Sequence, residues 1–376
     1  MEYRTLGRTG LRVSAVALGC EGFMNRPEEE VRADFDFAIE NGINFLDLYA
    51  SNPELRSSIG AALARRREGF VIQGHLCSVW EEGQYLRTRD PEKSLAAFED
   101  LLARLGTDYV EIGMIHYVDA EADLREVLDG PIMRLAQRLR SEGRIRHIGL
   151  SSHNPVVAHM AARTGLIDVL MFSVNPCYDL LPPSDDVDTL WADESYAREL
   201  HNIDPERQRL YEFCEREGIA IDVMKAYGGG DLLSDANSPF GRPMTPVQCL
   251  EYALTRPGVA AVMAGCRSRA EIEAARHRGD AIVDLCGRYM EQTGVQFQVL
   301  AYRQFAVEGE GLRHVADPPA RGHVARVHRL AEQQGFAFGS GQQAGEHLHG
   351  GGLAAAVGAE KAEDLAAADA KTHMID

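Results

Sequence analysis

A chain of 376 residues with 45% hydrophobic side chains is large enough for one barrel or two ordinary domains around a sizeable core. Its formal charge of -18 excludes the basic footprint of a nucleic-acid surface and argues against docking on anionic lipid. No stretch approaches the roughly 18 apolar residues of a spanning helix and the N-terminus lacks a signal-peptide core, so the expectation is a cytoplasmic protein with no membrane partner.

The chain opens with alternating apolar residues around Gly7-Arg8-Thr9-Gly10, which predicts a β-hairpin leading into a first strand ending near Cys20. Pro27 and three acids then open a helix over 27–41, with Gly42 as its stop. From there one unit repeats. Strand 43–47 precedes helix 53–66, and strand 70–75 precedes, after a loop, helix 91–104. Strand 108–116 leads to helix 121–142, and strand 145–153 to helix 155–164. Strand 167–175 leads through an insertion to helix 205–217, strand 219–225 through a Gly-rich loop to helix 245–255, and strand 259–265 to helix 268–277.

Eight short apolar strands alternating with amphipathic helices imply parallel pairing and a (β/α)8 TIM barrel over residues 1–277. The competing architecture, a doubly wound open sheet, lacks its GxGxxG after the first strand. The long loops 177–204 and 228–244 follow strands and so belong on the C-terminal face, as candidate lids. Residues 278–376 turn rich in Gly, Ala, Gln and His without alternation, and read as a poorly ordered tail. The seven cysteines form no CxxC pair and are expected as reduced thiols.

The strand ends carry the chemistry. Asp47, His75, His116, Ser151 with Ser152 and His153, Asn175, Lys225, and Gly265 before Arg267-Ser268 would line one pocket. Arg267 and Arg269 beside a helix N-terminus suit a phosphate, while Ser268 with Glu271 three residues on also spells a capping box. Asp47, His75 and His116 offer the donor types of a metal triad, but no HxH or HExxH spacing accompanies them, and no metal site is assigned.

YRTLGRTGLRVSAVALG, GINFLD, the strand ending MIH, GRIRHIGLSSHN and VMAGCRSRAEIEAA together resemble the aldo-keto reductase family over residues 3–277. NPCYDLL and VMKAYGGGDLL resemble its branch with a C-terminal iron–sulfur ferredoxin extension, yet only Cys286 follows Cys266, so that extension is not recognisable. The resemblance implies a barrel closed below by the hairpin, NADPH (NADH as the alternative) across its upper face, and hydride transfer to a small carbonyl substrate.

The family's catalytic Asp and His match Asp47 and His116; its Tyr falls at Asn52 and its Lys at His75. Asparagine cannot give up a proton, so His75, His116 or Tyr49 is the expected acid. Ser151 matches the position that holds the nicotinamide amide, with Ser152 where its neighbour is often Asn, and Arg267 with Ser268 matches the 2′-phosphate loop, where Glu271 replaces the usual Gln or Arg. The departures at 52 and 75 leave two alternatives: a non-catalytic nucleotide- or metabolite-binding barrel, and a metal-dependent lyase or hydrolase on Asp47, His75 and His116.

Overall fold

The computed structural model describes residues 1–64, 66–196 and 202–276; the expected tail, 278–376, lies outside the described residues. Strands β1 (Tyr3–Thr5) and β2 (Arg12–Ser14) pair antiparallel, with Tyr3 opposite Ser14. The barrel strands are β3 (Val16–Gly19), β4 (Phe45–Leu48), β5 (Val71–Leu76), β8 (Val110–Ile115), β9 (Ile145–Ser152), β10 (Val169–Ser173), β11 (Ala220–Met224) and β12 (Val259–Gly265). All run parallel in that order and close when β12 pairs with β3. The expected (β/α)8 barrel is therefore present. Helix α1 (Glu28–Glu40) follows the first barrel strand, and the others follow theirs in turn.

Alternation along each strand decides what faces inward. Phe45 and Val71 share an interior cluster with Ile112, Met114, Val169, Met171, Ala220 and Ala261. Leu6 and Val13 of the hairpin region join that cluster, so the hairpin seals the barrel bottom with apolar side chains. Two residues further along the same faces stand Asp47 on β4, Gln73 and then His75 on β5, and Asp222 on β11. The interior thus changes from apolar to polar as it rises towards the strand ends.

Five helices begin with the same local device. In α2 (Pro53–Leu63), α3 (Pro91–Leu105), α6 (Pro155–Arg163), α7 (Pro205–Glu217) and α8 (Pro246–Leu254), proline occupies the first turn and the preceding Asn52, Asp90, Asn154, Asp204 or Thr245 accepts from an early backbone N–H. Each such cap contributes about 1 kcal/mol, and proline at the first position loses no hydrogen bond.

Two expected elements differ. The helix over 121–142 is two, α4 (Glu121–Asp129) and α5 (Pro131–Ser141). Gly130 between them is extended, and a Cβ there would meet the Glu126 carbonyl oxygen at 2.1 Å. The loop after β5 contains a hairpin, β6 (Ser78–Glu81) and β7 (Gln84–Arg87), turned at Glu82-Gly83 with φ of +53° and +83°. The final helix is α9 (Arg269–Arg276).

Candidate active site

Asp47 and His75 leave neighbouring strands on the inward face and meet: His75 Nε2 lies 2.8 Å from Asp47 Oδ1. The other ring nitrogen, His75 Nδ1, lies 2.8 Å from His116 Nδ1. With Asp47 as a carboxylate, which only accepts, His75 Nε2 carries a proton, and one further proton is shared across the two Nδ1 atoms. His116 sits just past β8, partly exposed, and among the described residues none hydrogen-bonds to its Nε2. Burial, and then the nearby His75, hold the His116 imidazole well below the usual histidine range, which favours the neutral ring.

Tyr49 stacks on His116, with ring centroids 5.6 Å apart and planes 2° from parallel. Tyr85, delivered by the β6–β7 hairpin, meets both rings edge-on at 6.1 and 5.7 Å. Asp47, His75, His116 and Tyr49 are therefore one cluster, as the strand-end reading requires. The two histidines and Asp47 bond to one another in a line and do not converge on a common point, which argues against the metal triad.

Asn52 has a different position. Its Oδ1 accepts from Leu55 N at 2.8 Å, the cap of α2. Asn175 is likewise committed to the backbone: Oδ1 accepts from Cys177 N and Tyr178 N, and Nδ2 donates to the Lys225 carbonyl. Lys225 Nζ lies 4.6 Å from the Trp191 ring centre.

On the adjacent strand end, buried Ser151 accepts from Tyr117 N at 2.7 Å through Oγ. Ser152 Oγ and His153 Nδ1 both bond to buried Asp119. At the opposite side of the barrel mouth, Glu271 accepts from Arg267 N at 2.7 Å while its own N–H donates to Ser268 Oγ at 3.3 Å. The start of α9 is thus closed by its own carboxylate. Arg269 stacks on Phe37 at 4.2 Å and does not join that loop. Gly265 is exposed, and a Cβ there would touch nothing.

The long loops after β10 and β11 pack on each other. Tyr178, Leu181 and Leu190 from the first form a small core with Leu232 and Cys249, against which Trp191, Tyr227 and Phe240 pack. Beneath it, buried Asp179 accepts from Tyr211 at 2.5 Å, Tyr252 at 2.8 Å and Arg207 at 3.4 Å. The two expected lids are one packed cap on the C-terminal face. Six of the seven cysteines are described, and all six are free and buried.

Sequence reasoning missed Tyr85, Gln73 and Asp222. The alternation of VWEEGQYLR was a signal for the hairpin. A polar residue inside an apolar strand, as in FVIQGH and IAIDVMK, was a signal for the other two.

A closed parallel barrel with a carboxylate–histidine cluster at its strand ends defines an α/β barrel of the enzyme-bearing kind. The sequence model of the Aldo/keto reductase family matches residues 15–248, and the chain belongs to that family. An uncharacterized oxidoreductase, YqkF, of Bacillus subtilis is 30% identical over 179 residues, 46% of this chain and 56% of that protein's length. L-galactose dehydrogenase of Arabidopsis thaliana is 26% identical over 304 residues, 73% of this chain and 86% of that protein. Among solved structures, the holo form of aldo-keto reductase AKR11C1 from Bacillus halodurans superposes with a TM-score of 0.58 at 24% identity, covering 75% of this chain and 91% of that one. Among the described residues, no helix is long and apolar enough to cross a membrane.

Proposed function

We propose that this protein is a nicotinamide-dinucleotide-dependent oxidoreductase that interconverts a small carbonyl compound and its alcohol. The observation that carries the reading is the line Asp47–His75–His116, ending at the barrel mouth on His116 Nε2, to which none of the described residues hydrogen-bonds. Bound nicotinamide supplies or accepts the hydride. The alkoxide of carbonyl reduction then needs a proton, and alcohol oxidation needs a base.

His116 Nε2 serves both directions. As an acid the pair starts with an imidazolium charge on His75, stabilised by Asp47 through His75 Nε2; loss of the His116 Nε2 proton to the substrate oxygen is balanced by transfer of the shared proton from His75 Nδ1 to His116 Nδ1, which leaves both rings neutral. The reverse transfer moves a proton from an alcohol inward. Tyr49 and Tyr85 wall this nitrogen with aromatic surface that suits a small, largely apolar substrate.

The cofactor residues fit the nicotinamide end and fit the 2′-phosphate poorly. The Ser151 hydroxyl, which accepts from Tyr117 N and keeps its own O–H as a donor, suits a carboxamide. A phosphate at Arg267 and Ser268 would have to displace the Glu271 carboxylate, whereas an unesterified ribose hydroxyl would donate to it. NADH is therefore proposed ahead of NADPH.

Fluorescence titration of the purified full-length chain with each cofactor, followed by a panel of small aldehydes, ketones and alcohols, tests this. His116→Gln is expected to lower kcat by about 100-fold or more with cofactor affinity kept. Failure of both cofactors to bind at millimolar concentration overturns the reading. A second reading, a barrel that binds the nucleotide without turning it over, draws on Asn52, whose side chain caps a helix where the family's acid would stand. Cofactor binding with no turnover across the panel would favour it.

A further inference from the structure

The hydrogen-bonded line does not end at Asp47. Gln73 Nε2 donates at 2.9 Å to Asp47 Oδ1, the same oxygen that faces His75, and at 2.9 Å to Asp222 Oδ2 across the barrel. Gln73 and Asp222 are 0% exposed and Asp47 is 3% exposed. We propose that Gln73 and Asp222 are positioning residues that clamp Asp47, so that a single chain, Asp222–Gln73–Asp47–His75–His116, runs from the barrel core to its mouth. This rests on the reading of Asp47, His75 and His116 as the reacting cluster.

The chemistry of the clamp is constrained. A dry interior does not hold two carboxylates charged about one neutral amide. The groups facing Asp222 are few. β5 supplies Gln73 and β4 supplies Asp47; Met171 on β10 and Ala261 on β12 are its strand neighbours, and the cluster below is apolar. Burial first, and then the charge of Asp47, raise the Asp222 carboxyl well above the usual range, so Asp222 is the neutral member of the pair. Asp222 Oδ1 and Gln73 Oε1 are both buried, and neither has a hydrogen-bond partner among the described residues.

The clamp therefore needs Gln73 as a two-way bridge and Asp222 as a neutral acceptor. Asn at 222 keeps the size and the acceptor; Leu keeps only the bulk. The single oxygen of Asp47 is then fixed in both distance and direction for His75.

The test uses the full-length chain, selectively 15N-labelled at histidine, with His75 and His116 assigned through His75→Gln and His116→Gln. Ring-nitrogen shifts are followed across pH, which reads the coupled pair whether or not turnover is detected. Asp222→Asn is expected to leave the His75 and His116 titration and tautomers near wild type. Gln73→Leu and Asp222→Leu are expected to shift both and, where turnover is measurable, to lower kcat about 10-fold with KM changed less than about 2-fold. Far-ultraviolet circular dichroism identifies any variant that fails to fold, and Gln73→Met then replaces Gln73→Leu. Histidine titrations unchanged in folded Gln73 variants, or perturbed as strongly by Asp222→Asn as by Asp222→Leu, overturn the proposal. Absence of turnover with shifted histidine titrations would instead count against the oxidoreductase reading alone.

Discussion

The Nδ1 atoms of His75 and His116 face each other at 2.8 Å, so the two rings hold one proton between them and a second charge on either ring is opposed by the first. On the proposed function, the pair moves a proton towards or away from the barrel mouth. It also makes stability depend on pH. The folded protein holds His116 neutral to a pH well below the usual histidine value, while the unfolded chain takes up a proton near pH 6.5, roughly. The unfolded state thus binds more protons in that window. The His116 contribution is fully present above it and is lost as pH falls through it. In urea unfolding between about pH 7.5 and about pH 5, wild-type stability should fall relative to that of His116→Gln as the pH is lowered.

Asp222 works in the opposite sense. Its folded carboxyl keeps a proton to a pH well above that of the unfolded chain, so the folded state binds more protons between the two values. Its contribution is present below the unfolded carboxylate value of about 3.9 and is lost as pH rises through the window. Asp222→Asn, which has no proton to lose, should be more stable than wild type at neutral pH. The same urea series measures it, and an Asp222→Asn variant no more stable than wild type at about pH 7 would contradict the sign.

Cofactor choice should turn on Glu271. Its carboxylate accepts from Arg267 N at 2.7 Å, where an incoming 2′-phosphate would compete. Glu271→Gln removes the charge and keeps an acceptor. It is expected to tighten NADPH by about 10-fold while changing NADH by less than about 3-fold, a difference of about 1.4 kcal/mol between the two cofactors. Isothermal titration with both nucleotides reads the ratio directly.

Most of the barrel could be read from residue order because each strand–helix unit carries its own punctuation. Asn52-Pro53, Asp90-Pro91, Asn154-Pro155, Asp204-Pro205 and Thr245-Pro246 mark helix starts by local chemistry that tertiary packing does not override. The same device explains why Asn52, legible as a departure from the family's tyrosine, is a cap in the structure. Asp47, His75 and His116 were legible because each ends an apolar run. Gln73 and Asp222 were not, because a polar residue mid-strand acquires meaning only when closure sets it opposite another. The break at Gly130 is marked by Pro131, which has no N–H and disfavours helical backbone at the residue before it, but the apolar pattern of 121–142 continues through it and masks that mark.

The β6–β7 hairpin places Tyr85 on the histidine cluster, and its turn demands left-handed backbone at both Glu82 and Gly83. Gly83→Val should therefore loosen the hairpin, since a β-branched side chain is strained at φ of +83°. Tyr85→Ala keeps the turn and removes the ring. Both are expected to raise KM for the carbonyl substrate by about 5- to 20-fold, with smaller effects on kcat, because the aromatic wall binds substrate and transition state alike. Steady-state kinetics at saturating cofactor separate the two constants.

Asp179 is the anchor of the cap formed by the loops after β10 and β11. Its two oxygens accept from Tyr211 at 2.5 Å and Tyr252 at 2.8 Å, and Arg207, 1% exposed, lies 3.4 Å away. Its backbone oxygen also accepts from Asp204 N, which joins the loop to the start of α7. Asp179→Ala would leave Arg207 buried without its carboxylate, and both tyrosine hydroxyls without their acceptor. The expected cost is about 3–5 kcal/mol, read by urea unfolding. Asp179→Asn keeps one strong acceptor and should cost less. If the cap contributes to substrate enclosure as well as to stability, Asp179→Asn will raise KM at a temperature where the barrel remains folded, while the His75 and His116 titration stays at its wild-type position. A shifted histidine titration in that variant would instead tie the cap to the Asp222 end of the buried chain, through β10 and β11, which pair along their whole length.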